Sequence, residues 1–146
     1  MRVPDADRQD PTFFRSGGVD VGRDGCRVPL PWESTGTSLG FGPGGAHLPQ
    51  PAWFADSSVE AEELSEGSTL ALYRRALALR QELQTEEHLE WRGDGADVVD
   101  FSRPNGWRSV TNLGAEPVEL PEGELLLASV PMAGRLLPPD ATAWLR

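Results

Sequence analysis

The sequence has 146 residues, which is enough for one domain with a modest hydrophobic core, and it carries a formal net charge of −10 with a pI near 4.6. This acidic balance argues against binding to nucleic acid or to anionic membranes, because those surfaces are bound through clustered lysines and arginines. Cys26 is the only cysteine, so an intramolecular disulfide and a cysteine-rich metal site are excluded.

The composition also bears on where the protein acts. Residues 1–8 lack the apolar segment of a signal peptide, and no stretch approaches the length of apolar sequence that a membrane span needs. A single cysteine is typical of a reducing compartment. We therefore expect a cytoplasmic protein with neither nucleic acid nor membrane as a partner.

Residues 1–67 form the first of three stretches with different textures. They contain most of the prolines and glycines, including the cluster at 40–45, and show no sustained period of two or 3.6. Such a long irregular segment is uncommon in a compact domain. Interspersed aromatic residues argue against disorder, so we expect a long loop that is ordered by other contacts. These aromatic residues are Phe13, Phe14, Trp32, Phe41, Trp53 and Phe54.

Residues 68–87 have the pattern of one amphipathic helix. Ser68 is a suitable N-cap, and Thr85 begins a polar exit. The apolar residues that share one broad face are Leu70, Tyr73, Ala76, Leu77, Leu79 and Leu83.

Residues 88–146 break into short β-like runs separated by turn signals, of which Asn105-Gly106 is typical of a hairpin. We predict a small antiparallel β-sandwich or sheet, with Trp91, Trp107 and Trp144 in its core and a carbohydrate-binding face as the alternative use of these rings. The predicted strands cover 89–91, 97–101, 107–113, 118–120, 125–129 and 141–145.

A complete protein with one helix between an irregular loop and a small sheet would be unusual, because the apolar face of the helix has no obvious packing partner. Three segments then point to a family. The segment Gly22–Trp32, preceded by Gln9-Asp10-Pro11, resembles the arginine-rich signature of α-glucosidases and oligo-1,6-glucosidases in glycoside hydrolase family 13, the α-amylase family. Residues 68–80 resemble the last helix of that family's barrel, and residues 137–145 resemble the closing strand of its C-terminal domain.

The resemblance implies a mixed α and β chain in which the tail end of a (β/α)8 barrel precedes a small antiparallel β-sandwich domain. Residues 1–67 would be a long barrel-rim loop, residues 68–87 the last barrel helix, and residues 88–146 the C-terminal β-domain. It also implies no cofactor, and any calcium that the family binds is expected outside this chain.

For the complete enzyme, the resemblance implies retaining hydrolysis, in which an aspartate nucleophile and a glutamate acid/base flank one glycosidic bond. The motifs that carry these carboxylates are absent from the chain. We therefore expect a C-terminal fragment of an α-glucosidase for maltose-type or isomaltose-type oligosaccharides that is inactive alone. The acidic residues in polar runs are predicted to be surface charges: Asp5, Asp7, Glu60, Glu62, Glu63, Glu86, Glu87, Asp94 and Asp97.

By resemblance, Arg23 reaches the glucose in the deepest subsite and Arg27 lines the neighbouring subsite, since a guanidinium offers several fixed donors to hydroxyl groups. Bracing of the loop is the alternative role for both arginines. Asp24 is predicted to brace the loop by pairing with an arginine. Trp32 and Phe41 are candidates for stacking on sugar rings, although packing in a core is the simpler interpretation.

Three further residues could carry chemistry in another context. Cys26 has no histidine near it in the sequence that could activate it as a nucleophile, and it is expected to be a small packed residue. His47 and His88 are too isolated for a catalytic or metal set, so no metal site is expected.

Two other functions stay open from the sequence. The chain could be a non-catalytic module that binds α-glucans through the aromatic residues of its sheet. It could also be a structural remnant, or a subunit from a split gene that pairs with a separate barrel chain. Related reactions of the family on sucrose or trehalose are further alternatives to hydrolysis, and the residues that choose the linkage are expected mostly upstream of this segment.

Overall fold

The computed structural model describes residues 1–93 and 95–146, which divide into two compact units, Met1–Ala71 and Leu72–Arg146. Asp94, predicted to be a surface charge, lies outside the described residues. The other carboxylates predicted on the surface are exposed, except that Glu62 is half-buried.

The first unit is mostly irregular chain with short helical turns. Its two α-helices are α1 (Pro11–Arg15) and α2 (Val59–Glu63). Short stretches of 3-10 helix lie at Asp5–Asp7, Asp24–Cys26, Thr37–Gly40 and Ala52–Ser57. The sequence predicted none of these turns, because elements this short show no hydrophobic period. A small apolar cluster fills the unit, made of Val3, Val28, Leu48 and Phe54.

The predicted helix is present as α3 (Thr69–Glu82). Ser68 caps it as expected, since its Oγ accepts the N–H of Ala71 at 3.1 Å. The apolar face of α3 is partly uncovered: Tyr73 is 63% and Leu77 56% exposed, while Leu70, Ala76 and Leu79 are half-buried. Only Leu83, just beyond the helix, is buried. Among the described residues, no helix is both long and apolar enough to cross a membrane.

The second unit contains a five-stranded antiparallel sheet in the order β1-β2-β3-β7-β5. A separate antiparallel pair joins β4 to β6. The strands are β1 (Glu90–Trp91), β2 (Val98–Ser102), β3 (Arg108–Asn112), β4 (Val118–Glu119), β5 (Leu125–Ala128), β6 (Leu136–Leu137) and β7 (Ala141–Leu145).

The hydrophobic core lies on one face of the larger sheet. Alternate residues of β7 point into it, and the same core contains Leu137 of β6 and Leu120, which directly follows β4. A sandwich of two sheets was expected. The structure has one five-stranded sheet, and only a two-stranded pair packs on its core. The buried residues of this core are Val110, Leu120, Leu137, Ala141, Ala143 and Leu145.

The three tryptophans of the second unit were predicted in this core, and that prediction is wrong. Trp144 alternates with the core residues of β7 and so lies on the opposite face of the sheet. Successive edge-to-face contacts link Trp91, Phe101, Trp107 and Trp144, with ring centroids 6.0, 5.9 and 5.2 Å apart. Trp91, on the short edge strand β1, is 67% exposed. We call these four residues the aromatic row.

Polar contacts complete the second unit. Asn112 is fully buried, and its Nδ2 donates to the carbonyl oxygens of Glu116 and Leu137 at 2.9 and 3.1 Å. Its Oδ1 accepts the N–H of Gly114 at 2.9 Å. Near the end of α3, the side-chain amide of Asn105 donates to the carbonyl oxygen of Leu83 at 3.1 Å. The predicted hairpin turn is thereby tied to the helix end.

Candidate functional site

The arginine-rich segment is organised by two buried aspartates. Asp24 is 1% exposed and opens the 3-10 turn Asp24–Cys26. Its Oδ2 accepts the backbone N–H groups of Gln9 and Asp10 at 2.8 and 2.9 Å. A buried carboxylate that receives two amide donors is well satisfied and fixes both chain segments. Asp24 therefore closes the loop between Gln9 and the arginine-rich segment.

Asp10 is the second of these aspartates and is 4% exposed. It is the N-cap of α1: its Oδ1 accepts the N–H of Thr12 at 2.9 Å, and Pro11 occupies the first helical position. Its Oδ2 accepts the backbone N–H of Arg23 at 2.8 Å and a guanidinium N–H of Arg27 at 3.0 Å. One side chain thus contacts both arginines of the candidate site.

These contacts keep the Asp10 carboxylate ionised. The backbone N–H groups of Thr12 and Arg23 bind the charged form and lower the pKa of Asp10 from 3.8 to about 2, with a smaller contribution from the charge of Arg27. A group with this pKa holds no proton to donate near neutral pH. Asp10 is therefore suited to holding neighbours in place and not to acid catalysis.

Arg23 and Arg27 flank the 3-10 turn as its N-cap and C-cap residues. Both residues are exposed, and the Arg27 side chain keeps half of its surface in solvent. The predicted pairing of Asp24 with an arginine is a long contact, 4.0 Å between Asp24 Oδ1 and Arg27 Nη1. Asp10 is the nearer partner of Arg27; the sequence drew attention to Asp10 only as part of the family resemblance and did not predict this contact. The Asp-Pro step, typical of a helix start, was the available signal.

Gly22 is required where the chain passes Asp10. Its φ of 67° lies in the left-handed region, and a Cβ built on it would lie 2.6 Å from Asp10 Cγ. Any other residue would both strain the backbone and displace the carboxylate. Gly22, at the start of the arginine-rich segment, therefore lets Asp10 approach that segment.

Arg8 braces the other side of the loop and was also missed from the sequence. It is 6% exposed, with Nε 2.8 Å from Asp5 Oδ1 and Nη1 donating to the carbonyl oxygen of Val21 at 2.8 Å. Its guanidinium lies over the ring of Phe13, 5.0 Å from the centroid. These contacts fix the chain just before Gly22.

Trp32 and Phe41 lie at the surface, with 51% and 54% of their areas exposed. The interpretation that they pack in a core is wrong. The carbonyl oxygen of Leu39 accepts the N–H groups of Trp32 and Glu33 at 2.8 and 3.0 Å, which folds the segment back on itself and leaves both rings outside the small apolar cluster.

The remaining candidate residues, Cys26, His47 and His88, do not form a cluster with one another. Cys26 is exposed, which contradicts the expectation of a packed residue, because it ends a turn whose buried member is Asp24. His47 and His88 are exposed as well. Within the described residues, no three histidine, cysteine, aspartate or glutamate side chains form a group that could hold a metal ion.

Three solved enzyme structures resemble nearly the whole of this chain. An α-glucosyl transfer enzyme matches 99% of this chain at 29% sequence identity with a TM-score of 0.72. Isomaltulose synthase from Klebsiella sp. LX3 matches 99% at 19% identity and the same TM-score. Trehalose-6-phosphate hydrolase from Bacillus licheniformis matches 97% at 15% identity, also with a TM-score of 0.72. No family model matches the sequence, and no curated protein matches it.

These structural neighbours are enzymes of glycoside hydrolase family 13, which confirms the resemblance found in the sequence. The antiparallel sheet of this chain matches their C-terminal domain. The chain spans 30 to 32% of the length of the proteins it matches.

Proposed function

We propose that this chain is the C-terminal part of a retaining α-glucosidase that acts on short α-glucosides, and that it supplies substrate contacts and scaffold. The observation that carries the proposal is the exposed pair Arg23 and Arg27 at the two ends of one turn, anchored to a buried carboxylate. The 29% identity to an α-glucosyl transfer enzyme over nearly the whole chain supports the substrate class.

The arginines suit sugar recognition because each guanidinium carries five N–H donors in a fixed fork. In Arg27, the contact to Asp10 uses one guanidinium nitrogen, and half of the side chain stays in solvent. Donors on the exposed side are then available to hydroxyl groups. Trp32 and Phe41 would add exposed apolar faces against which sugar rings stack.

The catalytic carboxylates belong elsewhere in this proposal. Retaining hydrolysis uses two carboxyl groups about 5 Å apart, one of which must donate a proton. Asp10 and Asp24 are the buried carboxylates nearest the arginines, and both already accept backbone N–H groups. A barrel, in the same or a separate polypeptide, would provide the acid/base and the nucleophile, and the assembled enzyme would act in the cytoplasm.

The surface of α3 supports such a barrel as the partner. Tyr73 and Leu77 expose more than half of their areas on one helix, and grouped apolar exposure marks interaction surfaces. In the proposal, α3 is the last barrel helix and this face packs against the rest of the barrel.

A chimera tests the proposal. Residues 1–146 would replace the matching segment of the α-glucosyl transfer enzyme, and glucose release from an aryl α-glucoside would be measured. We expect an active chimera in which Arg23→Ala lowers kcat/KM by about 10-fold to 100-fold, the loss of a charged hydrogen bond. An active chimera indifferent to Arg23→Ala and Arg27→Ala would refute substrate contact by this segment.

The exposed ring of Trp91, at the end of the aromatic row, favours a second candidate function as an α-glucan-binding module. Affinity electrophoresis of the 146-residue chain in glycogen-containing gels tests it. Retardation that Trp91→Ala abolishes would support this function, and migration unaffected by glycogen would remove it.

A further inference from the structure

We propose that Asp10 is a positioning residue that sets the arrangement of both sugar-contacting arginines, an inference that rests on the proposed function. A single oxygen, Asp10 Oδ2, accepts from the backbone of Arg23 and from the guanidinium of Arg27. Because the two donors share one acceptor atom, the main chain at Arg23 and the guanidinium of Arg27 are held at a fixed relative position.

The acceptor is itself fixed from three directions. Its other oxygen caps α1 through Thr12, its backbone N–H donates to Asp24, and Gly22 packs against its Cγ at a distance that admits no side chain. An N-cap residue bound on both sides has little rotamer freedom left to lose when a ligand arrives. Such preorganisation lowers the entropic cost of binding.

Charge also favours this role. Asp10 and Asp24 place two carboxylates beside Arg27, at 3.0 and 4.0 Å, so its guanidinium is attracted inward while half of the side chain stays exposed. If Asp10 were neutral, Arg27 would keep only the longer contact to Asp24. We then expect the exposed guanidinium of Arg27 to sample several rotamers. Binding of a sugar would have to restrict it to one rotamer, which costs conformational entropy.

Two variants separate positioning from simple stability. Asp10→Ser removes the atom shared by the arginines but keeps a good N-cap for α1, and Asp10→Asn keeps the shape without the charge. The matched control is Asp20→Asn: Asp20 is exposed in the same loop, where its Oδ1 accepts the N–H of Gly22 at 2.9 Å, and it has no contact to either arginine among the described bonds.

The first measurement uses the 146-residue chain alone. Side-chain NMR of the Arg27 guanidinium would report its order. We expect restricted motion in the parent chain and in Asp20→Asn, and averaged rotamers in Asp10→Ser and Asp10→Asn. Circular dichroism confirms that each variant is folded. Equal Arg27 order in all folded variants would overturn the positioning role without touching the proposed function.

The second measurement uses the chimera described above and separates KM from kcat. We expect Asp10→Ser to raise KM about 10-fold with little change in kcat. Adding Arg27→Gln to Asp10→Ser should raise KM little further, because both changes disrupt the contact between Asp10 and Arg27. If Arg27→Gln impairs the chimera while Asp10→Ser behaves like Asp20→Asn, positioning by Asp10 is wrong and substrate contact stands. If Arg27→Gln has no effect, the proposed function itself fails for that residue.

Discussion

The two units of the chain are stabilised in different ways. In Leu72–Arg146, alternate residues of paired strands point into one apolar core, so stability comes from area removed from water. In Met1–Ala71, four buried apolar residues form only a small cluster, and buried carboxylates bind backbone N–H groups of distant segments. An irregular chain can thus be held in one conformation by a few saturated polar side chains. The candidate sugar-contacting residues Arg23, Arg27, Trp32 and Phe41 lie in this first unit.

The largest expected effect is in the second unit. Leu137 is fully buried, and Leu137→Ala should cost about 2 to 5 kcal/mol of unfolding free energy through the cavity it leaves. Its neighbour Leu136 is 55% exposed, so Leu136→Ala is the matched control and should cost less than about 1 kcal/mol. Urea denaturation compares the two, and similar losses would contradict a core on this face of the sheet.

The equivalent test of the first unit is Asp24→Ala. It leaves the N–H groups of Gln9 and Asp10 without their acceptor and should destabilise the unit by about 2 to 4 kcal/mol. Hydrogen exchange would show both amides losing protection while the amides of β3 keep theirs. Asp7→Ala, at an exposed carboxylate, is the control. Unchanged protection at Gln9 and Asp10 would show that the polar network does not hold the loop.

A smaller effect distinguishes backbone strain from crowding. Gly17 and Gly22 have nearly equal φ values of 65° and 67°, but only Gly22 faces atoms of Asp10 where a Cβ would lie. We expect Gly17→Ala to cost about 1 kcal/mol, and Gly22→Ala to cost roughly 1 to 2 kcal/mol more. Thermal unfolding of both variants measures the difference, and equal costs would argue against the close approach of Gly22 to Asp10.

Acid should destabilise the first unit only at low pH. Because the pKa of Asp10 is lowered from 3.8 to about 2, its ionised form contributes stability that is complete above pH 3.8 and is lost as pH falls through about 2. Hydrogen exchange at Arg23 between pH 5 and pH 2 measures this. Protection in Asp10→Asn should lack that transition. Loss of Arg23 protection well above pH 3.8 in the parent chain would contradict the assignment.

The sequence predicted most of the second unit because period-two alternation and turn residues are local signals. It placed β2, β3 and β7 to within one residue of their ends. It missed β6, which has only two residues, and it put Trp144 on the wrong face because aromatic residues fit either side of a sheet. Insertion of β7 between β3 and β5 is a non-local pairing that no local pattern specifies.

In the first unit, the sequence supplied the identities of the candidate residues but not their arrangement. The family signature drew attention to Arg23, Asp24 and Arg27, whereas the contacts of Asp10 to residues 13 and 17 positions away depend on how the loop closes. A capping signal at Asp10 was visible, but capping alone does not reveal a second acceptor oxygen directed at the arginines.

The most direct test of the central claim, that this chain carries sugar contacts without catalytic carboxylates, is the activity of the purified 146-residue chain. Glucose release from maltose, isomaltose and an aryl α-glucoside would be followed at high protein concentration. We predict no turnover above the uncatalysed rate. Robust turnover that persists through purification and disappears on substitution of a carboxylate of this chain would contradict the account.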